Sequence, residues 1–131
     1  DKTPVDIALR VPVHVATTTS EALSNAEDSF MKQFRRLGTS LNSSTKQNTS
    51  DSTEGRRERS TELAAIKWED IQGEKVAVGD PETVASQLGR MAKELKLTSI
   101  IAEFNAGELI SKEKVKESLK LFCKEVIPNF D

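Results

Sequence analysis

Residues 76–104 read VAVGDPETVASQLGRMAKELKLTSIIAEF, and this stretch decides the fold class because it places one helix directly before one strand. Asp80, Pro81 and Glu82 are typical of a helix N-terminus, where a carboxylate caps the first turn and proline occupies the first helical position. The apolar residues that follow recur at helical spacing and predict a buried stripe: Val84, Leu88, Met91 and Leu95. The apolar run at residues 98–104 then predicts a short buried strand.

A second strand and helix are predicted upstream, within residues 7–37. Residues 7–16, IALRVPVHVA, are rich in Val and Ile and alternate as a strand does. Pro12 removes one donor from the ladder, which predicts an edge position or an irregular pairing at that point. Thr18 and Glu21 fit a capping box, and the helical periodicity that follows is expected to stop at Gly38.

A Ser/Thr-rich tract separates these two halves. In residues 39–53, nine of fifteen residues are Ser or Thr, and Leu41 is the single apolar residue. Such a composition cannot offset its ordering entropy by burial, so a long, flexible loop is predicted over residues 39–60. Arg56, Arg57 and Arg59 lie in this loop, either as a solvated charge run or as a clamp for an anion. A short helix is expected within residues 61–71.

The chain is predicted to close with a helix that Ser111 caps and Pro128 ends. Its expected inward residues are Val115, Leu119, Phe122 and Val126. Strands separated by helices predict parallel pairing in an α/β fold. Two parallel strands alone complete neither an open sheet nor a barrel, and Asp1 is not an initiator methionine, so we expect a piece of a longer protein.

Composition excludes several classes of function. The 131 residues amount to one small domain at most, and 19 Lys and Arg against 21 Asp and Glu give no basic field for nucleic acid. No apolar run approaches the ~20 residues that cross a bilayer, so membrane insertion is not expected. The single Cys123 cannot form an internal disulfide, which fits the reducing cytoplasm, and it is predicted to be a buried hydrophobe.

Few residues can carry chemistry. His14 is the single histidine, which rules out a His-rich metal site, and no metal is predicted. It lies near the C-terminal end of its strand on the same face as Arg10, where α/β barrels build their sites, although a half-buried structural histidine fits equally well. Glu103 and Asn105 end the second strand on one face, and a buried carboxylate there is either a packing device or a site residue.

Four motifs resemble the C-terminal end of the bacterial luciferase-like, flavin-dependent monooxygenase family. They are VGDPETV at 78–84, EFN at 103–105, ESLKLF at 117–122 and VIPNF at 126–130. Asp80 departs from the family's Ser or Thr, and Glu117 departs from its basic residue. Upstream, VPVHVATTTSEALSNAE at 11–27 resembles the family's seventh strand and the helix after it.

The resemblance implies that residues 1–131 are the C-terminal part of a TIM (β/α)8 barrel, with strands seven and eight and their helices. The loop at 39–60 would close over the flavin site. The implied activity is oxidation of a small organic substrate by O2 and reduced FMN, which a separate flavin reductase supplies, in a cytoplasmic protein that is a dimer at full length. Most contacts to the flavin phosphate lie on strands outside this chain, so the chain alone is expected to bind flavin weakly or not at all and to be inactive.

The resemblance also implies roles for single residues, although it assigns no catalytic residue. Arg10 resembles an arginine of the sulfonate-oxidising branch, but Pro12 replaces a nearby histidine of that branch. His14 resembles a position that lines the flavin cavity, and Phe104 an aromatic position at the end of strand eight. Together with Glu103 and Asn105, these form the predicted cofactor-binding or cavity-lining set. Two alternatives stay open: a non-catalytic interaction module that uses exposed strand edges, and a deazaflavin-dependent oxidoreductase on the same barrel.

Overall fold

A computed structural model describes residues 6–46 and 67–130 of the chain. These residues form three strands, β1 (Ala8–Val15), β2 (Ala77–Gly79) and β3 (Ser99–Glu103). The α-helices are α1 (Thr19–Lys46), α2 (Trp68–Ile71), α3 (Pro81–Leu95) and α4 (Lys112–Leu121), followed by a π-helical turn, Phe122–Val126, and a 3-10 turn, Ile127–Phe130. The predicted α/β class and the parallel pairing of the two predicted strands are confirmed.

β1 is the middle strand of a parallel sheet with the order β2-β1-β3. It pairs with β3 from Ala8 opposite Ser99 to Pro12 opposite Glu103. It pairs with β2 over the last three residues of each strand. β2 is absent from the sequence prediction because three residues are too few to show an alternating pattern. Consecutive strands β2 and β3 lie on opposite edges of β1, whereas each strand of a (β/α)8 barrel pairs with the next along the chain.

The helices cover both faces of this sheet. Val11, Val13 and Val15 of β1 pack with Val84 and Leu88 of α3 on one face. On the other face, α1 packs through its buried apolar residues against β2, α2 and the segment after β3, in a core that includes Ala22, Ala26, Phe30, Ile71, Val78 and Ala106. The crossovers from β1 to β2 and from β2 to β3 run in opposite directions across the sheet, so right-handed connections place α1 and α3 on opposite faces.

Pro12 lies in the middle strand rather than at an edge, yet its missing N–H disturbs no ladder bond. The N–H of Ala16 donates to the carbonyl of Gly79 on the β2 side. Backbone N–H groups alternate along a strand, so the nitrogen of Pro12 faces the same side. Pairing with β2 begins only at Val13, one residue later. The proline therefore occupies the one stretch of that side of β1 that β2 does not reach.

α1 begins as predicted and ends later than predicted. The Thr18 hydroxyl accepts a hydrogen bond from the N–H of Glu21 at 3.2 Å. The helix does not stop at Gly38 but continues to Lys46, so the loop prediction is wrong for residues 39–46. One glycine costs a helix only about 1 kcal/mol, and each further residue adds a hydrogen bond once a helix exists. The remainder of the predicted loop, residues 47–60 with its three arginines, lies outside the described residues.

α3 confirms its predicted start, and the last helix confirms most of its predicted inward face. Asp80 caps α3, and Val84, Leu88 and Met91 are buried as expected, but Leu95 is exposed. In and after α4, Val126 is buried and Val115 and Phe122 pack against the core as predicted. Leu119 and Cys123 are exposed instead, and Ser118 is buried. The prediction of a buried Cys123 is wrong because the helix turns a serine, not its leucine, toward β1.

Although α1 has 28 residues, its composition is polar. Across residues 6–46 and 67–130, the helices are all too short or too polar to cross a bilayer.

Candidate functional site

A small cleft lies at the carboxyl end of β1, with a volume of about 60 Å³. β1 and the turn after it, the first turns of α1, and α4 each contribute to its wall. The lining residues are His14, Val15, Ala16, Thr17, Glu21, Asn25, Lys114 and Glu117.

The topology explains why a cleft forms at this place. The chain leaves β1 for α1 on one face of the sheet, while the chain that leaves the neighbouring strand β2 continues into α3 on the other face. In parallel α/β sheets, ligands bind in the crevice outside the carboxyl ends of strands whose connections diverge in this way. The cleft lies at the carboxyl end of one of these two strands, and β2 contributes no residue to its lining.

His14 forms the floor of the cleft and is only 1% exposed. Its Nε2 lies 3.3 Å from Nδ2 of Asn25, and its buried Nδ1 has no hydrogen-bond partner among residues 6–46 and 67–130. The pKa of His14 is lowered from 6.5 to about 4, because burial and the Lys114 ammonium lower it by more than Glu21 raises it. The imidazole is therefore neutral at pH 7 and has one unused nitrogen.

Two serines hold the walls of the cleft together. Beyond Pro12, β3 no longer pairs with β1, and Ser118 of α4 takes its place: its hydroxyl accepts the N–H of Val15 at 2.8 Å. Ser29 of α1 donates to the carbonyl of Ala106 and accepts the N–H of Leu109 at 3.0 Å. Because a buried N–H needs a partner, these contacts fix both helices against the end of the sheet.

Asn105, a predicted site residue, stabilises the loop between β3 and α4. Its Oδ1 accepts the N–H of Ile110 at 3.0 Å, and its Nδ2 donates to the carbonyl of Ile110 at 3.1 Å. Gly107 in the same loop has φ +85°, and a Cβ there would lie 1.7 Å from the Ser29 carbonyl oxygen. The loop therefore docks against α1 so closely that it requires glycine.

The other predicted site residues lie outside the cleft. Phe104 packs on the α3 face, where its ring lies edge-to-face with Phe122 at 5.2 Å between centroids. Arg10 is exposed and lies four residues from His14 along β1, about 13 Å in an extended strand. Glu103 is half-buried in register with Pro12. Of the five predicted residues, the structure thus brings only His14 into the cleft.

The start of α3 is a structural cap. Oδ1 of Asp80 accepts the N–H of Thr83 at 2.8 Å, and this hydrogen bond is the largest cause that lowers the pKa of the Asp80 carboxyl. The N–H of Asp80 donates to the Thr19 hydroxyl at 3.1 Å, which ties α3 to the start of α1. A carboxylate at this position disfavours an anion at the helix N-terminus.

Sequence reasoning missed the cleft residues that come from the helices, although a signal exists in α1. Asn25 and Ser29 are four positions apart and lie on the inner face of α1, beside the buried Ala22 and Ala26. Polar residues on an otherwise apolar stripe indicate buried hydrogen bonds. No comparable signal identifies Lys114 or Glu117, because charged residues on a terminal helix are usually solvated.

Comparisons with known proteins add no assignment. No protein-family model matches the chain, and no curated protein matches it in sequence. Among the residues that the structure describes, no group of three or more His, Cys, Asp or Glu side chains is arranged to hold a metal ion. The resemblance to the luciferase-like family therefore stays a prediction from sequence motifs.

Proposed function

We propose that this chain is the C-terminal part of a luciferase-like, flavin-dependent monooxygenase, and that the face of β1 that carries His14 forms part of the wall of its cavity. In the longer protein, reduced FMN and O2 would oxidise a small organic substrate. The chain would supply strands seven and eight of a (β/α)8 barrel, and a separate reductase would supply the flavin.

The observation that supports this proposal is the position of His14. It is buried beside a cleft at the carboxyl end of a parallel strand, with one ring nitrogen unpartnered. Barrel enzymes build their sites at this end of the strands. A neutral imidazole there can donate or accept one hydrogen bond, which suits orientation of a cofactor that itself carries the redox chemistry.

The proposal makes two structural demands. Val11, Val13 and Val15 face α3, so Pro12 and His14 face the side that would be the inside of a barrel. In the 131-residue chain α1 covers that side through the contact between Asn25 and His14. In a complete barrel, α1 must pack on the same side as α3, so the Asn25–His14 contact must be absent. Strand six must also pair with the edge of β1 that β2 occupies in this chain, so β2 must leave that edge.

The test begins with the reading frame upstream of Asp1, where about 200 further residues of alternating strands and helices are expected. The longer protein is then assayed for O2 uptake with reduced FMN and with reduced deazaflavin, and FMN-dependent uptake is expected. His14→Ala should lower the rate at least about tenfold, equivalent to about 1.4 kcal/mol of barrier. Ser99→Ala, an exposed change at the opposite end of β3, should leave the rate unchanged.

Several results contradict the proposal. A start codon directly before Asp1 contradicts the barrel, because the other six strands would then be missing. O2 uptake with reduced deazaflavin but not with reduced FMN contradicts FMN as the cofactor. Equal rates of O2 uptake for wild-type protein and His14→Ala mean that His14 does not contribute to the cavity. Tight binding of FMN to the 131-residue chain alone contradicts the role of a fragment.

A second candidate function, an interaction module, is favoured by the outer edge of β3. Within residues 6–46 and 67–130 no strand pairs with that edge, and Ile101 on it is 54% exposed. An unpaired strand edge is a template for another strand. Sedimentation of the chain should then show self-association that Ile101→Lys abolishes. Leu109→Lys, a change at an equally exposed leucine away from this edge, should have no effect, and a monomer at every concentration refutes this candidate.

A further inference from the structure

Within residues 6–46 and 67–130, the two outer edges of the sheet differ in how they are protected. β2 is only three residues long, and its outward N–H, that of Val78, donates to Oε1 of Gln87 at 3.1 Å. β3 is five residues long and contains no proline, and its single charged residue is Glu103 at its end. Proteins usually block a strand edge with charge, proline or short length, because a free edge pairs with other strands. The outer edge of β3 is therefore the one suited to a partner strand.

The backbone groups that face outward belong to alternate residues of β3. The N–H of Ser99 donates to the carbonyl of Ile7 at 3.3 Å, so the backbone of Ser99 faces β1. Because backbone groups alternate from side to side along a strand, the outward groups are those of Ile100 and Ala102. The side chains of Ile100 and Ala102 lie on the α3 face of the sheet, and Ile101 is exposed on the opposite face.

Two copies of this edge fit each other when the strands run antiparallel. A twofold axis at Ile101 places Ile100 of one copy opposite Ala102 of the other, and each such pair exchanges both of its backbone hydrogen bonds. In a parallel pair the bonded residues are staggered, so the two copies are not equivalent and the contact does not close on itself. The antiparallel dimer is therefore the symmetric use of this edge.

The side chains of the antiparallel pairing complement one another. Ile101 lies opposite Ile101 of the second copy, so both exposed side chains leave water together. Ser99 lies opposite Glu103 of the second copy, where its hydroxyl can donate to the carboxylate. The two Glu103 carboxylates are about 14 Å apart along the strands, so like charges do not face each other.

An apolar groove on the α3 face extends this contact. Its volume is about 360 Å³, and Ile100 and Ala102 line it together with residues of α3 and of the C-terminal turns. Phe130, which is 50% exposed, forms part of its wall. The twofold axis brings the grooves of both copies together on one face, so pairing covers apolar surface that is otherwise in water. This burial adds stability that a short strand pair lacks on its own.

We propose that the 131-residue chain forms a twofold dimer in which β3 pairs antiparallel with β3 of a second copy, centred on Ile101. The pairing joins the two three-stranded sheets into one. This inference rests on the second candidate function, the interaction module, and specifies its partner and its register. In the longer barrel another strand would occupy the same edge, so the dimer is a property of the 131-residue chain.

Disulfide cross-linking tests the register. The background is Cys123→Ser, which removes the single native cysteine. Ile101→Cys should then form a homodimeric disulfide, because the two opposite Cα atoms lie about 4.5 Å apart, within disulfide range. At a protein concentration where sedimentation detects the dimer, this reaction should be at least about tenfold faster than for Leu109→Cys, since a held pair has a millimolar effective concentration. Leu109 is equally exposed but lies away from the edge.

Ser99→Cys and Glu103→Cys test the direction of the strands. Each variant alone should cross-link no faster than Leu109→Cys, because equivalent residues are about 14 Å apart. A mixture of the two should form the mixed disulfide rapidly.

The outcomes separate this inference from the proposed functions. Self-association without the Ile101→Cys cross-link, or a Ser99→Cys homodimer that forms as fast as the mixed disulfide, overturns the dimer geometry and leaves the interaction module in place. A monomer at every concentration refutes both. None of these outcomes bears on FMN-dependent O2 uptake by the longer protein.

Discussion

Acid should destabilise this protein through His14 before its carboxyl groups titrate. The pKa of His14 falls from 6.5 to about 4 on folding, mainly because the imidazole is buried. Below pH 6.5 the unfolded chain binds a proton at His14 and the folded chain does not, so stability is lost as the pH falls. With 1.36 kcal/mol per pKa unit, the loss is about 2 kcal/mol at pH 5 and about 3 kcal/mol at pH 4.

The window between pH 7 and pH 5 is the useful one because most carboxyl groups remain ionised there. Urea denaturation of the wild-type chain should show that loss of about 2 kcal/mol in the free energy of unfolding. In His14→Gln, which keeps a polar side chain that does not titrate, the free energy should be nearly constant over the same window. Groups other than His14 act equally on both proteins and cancel in the difference.

A direct measurement of the pKa of His14 in the folded chain can refute this prediction. Because His14 is the single histidine, its NMR signals give its pKa in the folded chain without assignment. A folded pKa of about 6.5, or parallel pH profiles for wild-type protein and His14→Gln, means that the imidazole is solvated. The description of His14 as a neutral, buried residue would then be wrong.

Three further predictions concern stability and are checked by urea denaturation. Gly107→Ala should cost at least about 2 kcal/mol, because φ is +85° and the added Cβ overlaps the backbone of α1. Gly89→Ala should instead stabilise the protein by about 0.5–1 kcal/mol, because its Cβ meets only one ring carbon at 3.9 Å. A Gly107→Ala protein as stable as Gly89→Ala contradicts the close docking of the loop. Ser118→Ala should cost about 1–3 kcal/mol by leaving the N–H of Val15 unpaired, and a neutral change means that water replaces the hydroxyl. Asp80→Ala should cost about 1 kcal/mol at pH 7. This difference in the free energy of unfolding should shrink as the pH falls below 3.8, because the folded state lowers the pKa of Asp80 and the cap is lost on protonation. A constant difference contradicts the cap.

The features that the sequence predicted well are those with local causes. The start of α3 depends on Asp80 and its neighbours, and the strand at residues 8–15 depends on its own alternating pattern. His14 was placed correctly at the carboxyl end of β1 because position along a strand is a local property. Its hydrogen-bond partner is not local, because Asn25 lies in another element.

The features that were missed depend on tertiary packing. β2 is three residues long and is a strand only because it pairs with β1. α1 continues past Gly38 because elongation of a helix outweighs the cost of one glycine. In α4, the N–H of Val15 has no strand partner and donates to Ser118, so Ser118 is buried while Leu119 and Cys123 are exposed. Apolar periodicity in α4 contains no information about that contact.

The position of β1 in the sheet has a consequence for synthesis of the chain. At the start of β1, the N–H of Ile7 donates to the hydroxyl of Thr98, 91 positions away. β1 therefore emerges from the ribosome before β2 and β3, and its pairing with β3 cannot form until most of these residues exist. Long-range parallel pairing of this kind forms slowly. Until then an apolar strand with an unpaired edge is exposed to other nascent chains, so a holdase chaperone should raise the soluble yield.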